Sequence, residues 1–308
     1  MSHFSRRAFL AAGASMALPA AAALPASDWR RRVETSLGRV DIPASPQRVL
    51  AVDSRISLEL ALALDLPIAG YSHSRARPWV PVPDNVPMLT APPDLEQILT
   101  LAPDLILCPD SSPNSDWWPL IRLSSIAPVL PSSHLHSWQV NLQDLGNWLG
   151  KTQLVQQRLS EHDRLILDIR NQHADTLSLQ RFAALYYDTV KRRAMVCSQG
   201  TGYGLVMPAQ VLSELGGQEI GADRLGPYGE VALECFGEVL GDVDAILLID
   251  FGNGGANQLS AEPLWQRLPA VCAGHVHLIN GNCVFGSLYT ARYLAEGWRR
   301  LFARAQPQ

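Results

Sequence analysis

The chain has 308 residues, 47% of them hydrophobic and 18% charged, which excludes global disorder and leaves room for one large or two medium domains. Its 25 basic and 29 acidic residues give a net charge of -4, which excludes the clustered positive field that a nucleic-acid-binding surface needs. Prolines and glycines number 22 each, so turns are frequent, and the 8 tryptophans are more than such a chain needs for its core alone.

The N-terminus reads Ser5-Arg6-Arg7-Ala8-Phe9-Leu10 and continues as an Ala-rich apolar run to Leu24. A basic pair, a mildly apolar stretch and small residues predict an export signal, and the paired arginines are similar to the twin-arginine type, which exports folded proteins. The run carries Pro19 and is shorter than the roughly 20 residues that a membrane span needs. Cleavage is expected after Ala23 or Ala26, so residues 1–26 are read as the leader. Their removal deletes Arg6 and Arg7 and no acid, leaving the mature chain two charges more negative. No cysteine sits near the cleavage point, so no lipid anchor is expected. The cysteines Cys108, Cys197, Cys235, Cys272 and Cys283 are odd in number, so at least one stays unpaired. Cys108 and Cys197 lie in apolar runs that favour buried thiols, and a Cys272–Cys283 disulfide is a minority expectation.

Beyond the leader, short apolar runs alternate with helical patterns, as parallel α/β units do. Strands are predicted at Arg48–Val52, Pro67–Tyr71, Leu105–Cys108, Ala127–Leu130, Phe182–Tyr187, Ala194–Ser198, Ala245–Asp250 and His275–Ile279. Ser54–Asp65 carries Ile56, Leu60 and Leu64 on one helical face. Asp94–Ala102 opens on an Asp cap and ends before Pro103. Leu288, Ala291, Ala295, Trp298 and Phe302 follow helical spacing. Between the two sets of strands, residues 150–175 are polar, lack Pro and Gly after the first position, and repeat apolar residues at Val155, Leu159, Ile166 and Ile169. One long helix is expected there, a stiff spacer that joins an N-terminal lobe (27–149) to a C-terminal lobe (176–308); the plainer alternative is a surface helix of a single large sheet.

No motif names a reaction. Two H-x-H pairs, His134/His136 and His275/His277, each offer two imidazoles on one strand face, but a metal site needs further ligands, so surface histidines are the expectation. His136 precedes a helix cap at Ser137, and His275–Ile279 reads as an edge strand. Gly200-Thr-Gly-Tyr-Gly204 and Gly252-Asn-Gly-Gly255 lack the full dinucleotide and P-loop patterns and are read as turns over a cleft. No G-x-S-x-G elbow occurs. Asp53, Asp188 and Asp250 stand at strand ends, where carboxylates also cap helices. The aromatic residues say more. Trp79, Trp117, Trp118, Tyr203, Tyr228, Phe251, Phe285 and Tyr289 fall in or beside loops that surround the ligand crevice of α/β folds. Together they predict a broad cleft for a bulky, partly apolar guest.

Three segments resemble the periplasmic binding proteins that deliver ferric siderophores or cobalamin to ABC importers. They are Ser45-Pro-Gln-Arg-Val-Leu-Ala-Val52 with Leu58-Glu-Leu-Ala-Leu-Ala-Leu64 and Leu66-Pro-Ile-Ala-Gly-Tyr71; Asp94-Leu-Glu-Gln-Ile-Leu-Thr-Leu-Ala-Pro-Asp-Leu-Ile-Leu107; and Pro263-Leu-Trp-Gln-Arg-Leu-Pro-Ala-Val271 with the strand to Ile279. In order and spacing they match over about residues 43–303, and the ferrichrome-type hydroxamate binders look nearest. The resemblance implies two Rossmann-like α/β lobes joined by a single long α-helix, with the ligand cleft between them. It implies a monomeric, non-enzymatic periplasmic protein with no cofactor and no protein-held metal, whose partners are a ferric siderophore and an inner-membrane ABC permease. Glu96 and Glu234 match the acids that dock on permease arginines. Trp79 and Phe285 keep the aromatic character of pocket positions. Thr90 stands where the ferrichrome type has a ligand-gripping arginine, Ser111 falls near its pocket tyrosine, and Tyr228 and Cys283 fall near two pocket tryptophans. Tyr203 completes the expected ligand contacts. Arg55, Arg75, Arg77 and Arg224 are the candidates to replace the missing positive charge. The alternatives are a binder of cobalamin, haem or a free metal such as zinc, and an exported α/β hydrolase.

Overall fold

A computed structural model describes residues 30–74 and 77–306; the leader and Arg75 lie outside them. The described chain opens with an antiparallel hairpin of β1 (Arg30–Thr35) and β2 (Gly38–Pro43). The turn closes through Gly38 at φ +97°, a conformation that costs glycine little. This hairpin was not anticipated, because only Val33 and Ile42 of its two strands are buried and its charged alternation resembles a loop.

The N-terminal sheet contains β3 (Val49–Ala51), β4 (Ile68–Tyr71), β5 (Leu105–Pro109) and β6 (Val129–Ser132), all parallel in the order β4-β3-β5-β6. The central β3 and β5 are buried throughout, as strands covered on both faces must be. Its helices are α1 (Ile56–Ala63), α2 (Leu95–Leu101) and α3 (Leu120–Ser124). Asp94 caps α2 by accepting from the Glu96 N–H, and Ala102 leaves the helix in the left-handed region before Pro103.

Three helices then lead to the second sheet: α4 (Trp138–Leu149), α5 (Thr152–Gln172) and α6 (Ala174–Leu179). The continuous helix expected over 150–175 is therefore shorter at both ends. Gly150, at φ +68°, terminates α4, and His173 breaks the chain between α5 and α6. The 21 residues of α5 span about 32 Å.

The C-terminal sheet comprises β7 (Arg181–Asp188), β8 (Arg193–Val196), β9 (Gln218–Glu219), β10 (Glu230–Ala232), β11 (Ala245–Asp250) and β12 (Val276–Asn280). Its order is β10-β8-β7-β11-β12, with β9 on the start of β7. Here the expectation of parallel units fails in part: β8 is antiparallel to both β7 and β10. The cause is a tight turn after β7, in which the Asp188 carboxylate accepts from the Val190 and Lys191 N–H groups and Arg192 adopts φ +51°. The remaining helices are α7 (Met207–Glu214), α8 (Phe236–Val239), α9 (Gly255–Ser260), α10 (Pro263–Gln266), α11 (Pro269–Cys272) and α12 (Leu288–Arg304). All five cysteines are free; Cys272 is exposed on α11 while Cys283 is fully enclosed, so the Cys272–Cys283 disulfide is not formed.

One apolar cluster runs through both halves and joins Leu60 of α1, Trp138 of α4, Ile169 of α5, Leu212 of α7 and Trp298 and Phe302 of α12. Part of the tryptophan excess is therefore core. Beside this cluster lies a buried polar contact. Glu59 of α1 accepts from the Arg77 guanidinium and the Thr290 hydroxyl, and its second oxygen takes the Ser287 and Thr290 N–H groups at 2.9 Å each. Arg77 also donates to Thr290 Oγ1, Ser54 O and Phe285 O. Truncating Glu59 to Ala leaves the Arg77 charge, only 2% exposed, without a counter-ion. Glu59→Ala is expected to lower the unfolding free energy by about 3–5 kcal/mol, measured by denaturant titration; a change below about 1 kcal/mol would show that the contact is not the principal tie between the halves.

Candidate functional site

The loops leaving the carboxyl ends of β3 to β6 face loops of the C-terminal half. Leu205 N donates to His134 O at 3.0 Å, joining the two sides, and Met207 N donates to Val284 O at 2.8 Å within the C-terminal half. Gly204 sits there at φ +83°, and a Cβ on it would lie 2.9 Å from the His134 carbonyl, so this approach requires glycine.

Arg55, after β3, stands at the centre. Its Nε donates to Asp53 Oδ1 at 2.8 Å, and its guanidinium lies 5.6 Å from the Trp118 ring and 5.3 Å from the Phe285 ring. Trp118 comes from the N-terminal half and Phe285 from the C-terminal half, so one cation bridges aromatic groups of both sides. Asp53 is completely buried, and its other oxygen accepts from Ile56 N at 2.9 Å. Burial opposes its charge, but Arg55 and the hydrogen bonds hold its carboxyl below the usual range.

Two histidines flank this centre. The His134 ring is 4.7 Å from Phe285 and 6.3 Å from Trp118. His73 adopts φ +101°, a strained position for a side-chain-bearing residue, and its ring is 6.3 Å from Trp117. Burial, and then the charge of Arg55, push both imidazoles below their ordinary range, so both are neutral at neutral pH. On the C-terminal side, Tyr186 packs on Phe251 at 4.7 Å and Tyr203 on Tyr228 at 5.6 Å. Tyr203 and Tyr228 remain open to solvent, and Gly202 leaves room for the Tyr228 ring.

The expected site residues divide between two roles. Phe285 lies beside Arg55 and His134, while Tyr203 and Tyr228 pack on each other and stay exposed. Trp79 instead joins the buried contact: it stacks on Tyr293 at 4.1 Å and donates to Thr290 Oγ1 at 2.9 Å. Ser111 donates to Trp118 O at 3.2 Å and so shapes the loop that carries Trp117 and Trp118. Thr90 is exposed, and its hydroxyl accepts from Asp94 N at the entry to α2. Cys283 is enclosed beneath the cleft, and burial pushes its thiol up to about 12. Of the candidate arginines, Arg77 is consumed by Glu59, and Arg224 pairs with Asp242 at 2.8 Å. Glu96 and Glu234 are exposed and make no ion pair among the described residues. Glu96 opens α2, which runs back toward the start of β5; Glu234 lies just past β10, which runs parallel to β7. Each acid therefore stands at the carboxyl end of its sheet.

His134 was expected at the surface with His136; the structure places it in the cleft and leaves His136 exposed. The available signal was its position just beyond a strand end, obscured because β6 ends at Ser132, two residues past the predicted boundary. His275 and His277 lie at the edge strand, away from this centre. Among the described residues, no group of three or more His, Cys, Asp and Glu side chains is placed to hold a metal ion.

Two α/β sheets with an aromatic, arginine-centred cleft between their loops define a bilobal ligand-binding protein. Residues 56–282 match the family described as Periplasmic binding protein, and the chain belongs to it. It is 24% identical to the ferric enterobactin-binding periplasmic protein FepB of Escherichia coli O6:H1, over 96% of this chain and 98% of that protein. It is likewise 24% identical to the probable siderophore-binding lipoprotein YfiY of Bacillus subtilis, over 91% and 90%. Among solved structures, the Desferal-bound siderophore-binding protein FhuD of Vibrio cholerae has a TM-score of 0.69 at 22% identity, covering 84% of this chain and 99% of that one.

The depressed histidines set a pH dependence. Because the folded state resists protonating His73 and His134, the unfolded chain takes up more protons as pH falls below the ordinary value of 6.5. Their contribution to stability is complete above that pH and is lost as pH falls toward their folded values. Unfolding free energy is expected to decline between pH 7 and pH 5, with His173 and His277 adding to the slope in the same direction. His134→Gln should flatten that slope in denaturant titrations across the range; an identical slope would remove His134 from this account.

Proposed function

We propose that the protein is a periplasmic, monomeric carrier that captures a ferric siderophore, of hydroxamate type, and delivers it to an inner-membrane ABC permease without chemical change. The observation that carries this reading is Arg55 held between Trp118 and Phe285, one from each side of the cleft. A ferric siderophore presents oxygen acceptors around iron and an apolar periphery. The guanidinium supplies donors for the first and the aromatic walls supply contact area for the second. The chelator fills the coordination sphere of iron, so the protein needs no ligand of its own. The relatives named for siderophores support the same class of cargo. In this reading residues 1–26 are the export leader, and the halves before and after the connecting helices each supply one wall.

Trp117 and Trp118 line the loop beside Arg55, so cargo should quench intrinsic fluorescence. Titration with hydroxamate, catecholate and mixed ferric chelates, with cobalamin and haem as comparisons, should give saturable quenching with a ferric siderophore. Arg55→Ala should weaken that binding by about tenfold or more, the loss of a charge-assisted donor. Failure of every siderophore to bind would refute the reading.

We further propose that Glu96 and Glu234 dock on permease arginines. Both acids lie at the carboxyl ends of the sheets, the side from which the cleft loops emerge. Charge reversal, Glu96→Lys with Glu234→Lys, should abolish import in cells while leaving siderophore affinity within about twofold of the parent, since both residues are exposed and outside the cleft. Unchanged import would remove the docking role.

A further inference from the structure

The cleft's central cation is cancelled from inside the protein. Arg55 uses Nε for Asp53, while its terminal nitrogens make no hydrogen bond among the described residues and its side chain keeps 12% exposure. Those terminal nitrogens are the donors available to a guest. The counter-charge is placed where no guest can reach it, because Asp53 is wholly enclosed, held by Arg55 on one oxygen and by the Ile56 N–H on the other. The second arginine nearby, Arg77, is balanced in the same way by Glu59. His73 and His134 sit neutral beside Arg55. The described site thus offers hydrogen-bond donors with almost no net charge.

That arrangement discriminates between cargo classes. Three hydroxamates bind ferric ion as monoanions and give a neutral complex. Three catecholates bind as dianions and give a trianion. A neutral complex gives up little hydration on entering an aromatic cleft. A trianion gives up a great deal, and it recovers that loss only from uncompensated positive charge. We propose that Asp53 is a specificity-determining residue, and that by neutralising Arg55 from beneath it makes the cleft select neutral ferric tris-hydroxamates over trianionic ferric tris-catecholates. The proposal rests on the siderophore-carrier reading above and adds the residue that sets the preference and the charge by which it acts.

The test uses the full mature protein and two probes, ferrichrome as the neutral tris-hydroxamate and ferric enterobactin as the trianionic tris-catecholate, with binding read by tryptophan quenching at fixed salt. Wild type should favour ferrichrome by at least about tenfold. Asp53→Asn keeps the size of the side chain and an oxygen for the Ile56 N–H while removing the charge, so it should shift the affinity ratio toward ferric enterobactin by about tenfold or more. Raising the ionic strength should shrink that shift. The double variant Asp53→Asn with Arg55→Gln, which restores neutrality, should return the ratio toward that of wild type. Thermal unfolding of each variant separates loss of fold from change of preference; should Asp53→Asn fail to fold, the wild-type ratio and the pair Arg55→Lys and Arg55→Gln carry the test, because the lysine variant keeps the paired charge and should keep the ratio, whereas the glutamine variant leaves the Asp53 charge uncompensated and should move the ratio further toward ferrichrome. Binding of neither probe, nor of any other ferric siderophore, by wild type overturns the carrier reading itself. Binding with a preference for the trianion overturns this inference and the hydroxamate class of the cargo, and a ratio that Asp53→Asn leaves unchanged overturns this inference alone; in both cases the siderophore-carrier role stands.

Discussion

The architecture depends on one carboxylate. Glu59 belongs to α1 of the N-terminal half, yet it accepts the Ser287 and Thr290 N–H groups that open α12 in the C-terminal half. A helix start leaves N–H groups without partners and carries partial positive charge, so a carboxylate there satisfies both needs. Ser287 stands at the capping position but makes no side-chain cap, and its hydroxyl has no partner among the described residues. The capping role has passed from the local serine to a residue more than two hundred positions earlier. Burying Glu59 and Arg77 together costs desolvation that their attraction only offsets in part, so the contact is better understood as fixing the register of α12 on α1 than as a large net stabiliser.

The same contact sets the cleft. Arg77 donates to Ser54 O at 2.8 Å and to Phe285 O at 3.2 Å. Ser54 precedes Arg55 in the chain, and Phe285 supplies one of the two rings about the Arg55 guanidinium. A buried arginine thereby holds in place both the cleft arginine's backbone and its aromatic neighbour from the opposite half. The two arginines of this region are separated by their burial: Arg77, with 2% exposure, is enclosed among its partners, and Arg55, with 12%, keeps part of its guanidinium side chain open. Trp79 belongs with the first, which explains why an aromatic residue beside a loop is not evidence of ligand contact by itself.

Much of this was legible in the sequence where the signal is local. The runs around Val49, Leu105 and Ala245 are continuously apolar because their strands are covered on both faces, and β11 coincides with its expected range. The caps at Asp94 and Ser137 act through their own side chains as their residue types suggest. What stayed hidden was non-local. The antiparallel reversal at β8 depends on a turn without a glycine, and the hairpin of β1 and β2 buries too little to leave a periodic trace. Glu59 reads as a polar position inside an apolar helix, and nothing in its neighbourhood announces an arginine at position 77 or a helix start at 288. His134 looked like half of a surface pair because its environment is made by Phe285. Trp79, Trp118 and Phe285 were recognisable as a set of aromatic residues, but which would face the cleft is decided by partners far away in sequence.

The shared core limits how the cleft can respond to a guest. Trp138 of α4, Ile169 of α5 and Trp298 of α12 belong to one apolar cluster with residues of α1 and α7, so a wide opening would expose side chains from both halves at once. Exposing a large buried side chain costs about 1.5–3 kcal/mol, and several would be uncovered together. Small shifts and loop rearrangements are the motions that leave this cluster intact. A protein so constrained cannot gain selectivity by wrapping tightly around one cargo and loosely around another. Selection must reside in what the open cleft already presents: its shape, its rings and the charge left on its donors. Among these, charge acts over the longest range and is set by the fewest atoms, which is why a single enclosed carboxylate behind the central arginine can decide what the cleft accepts.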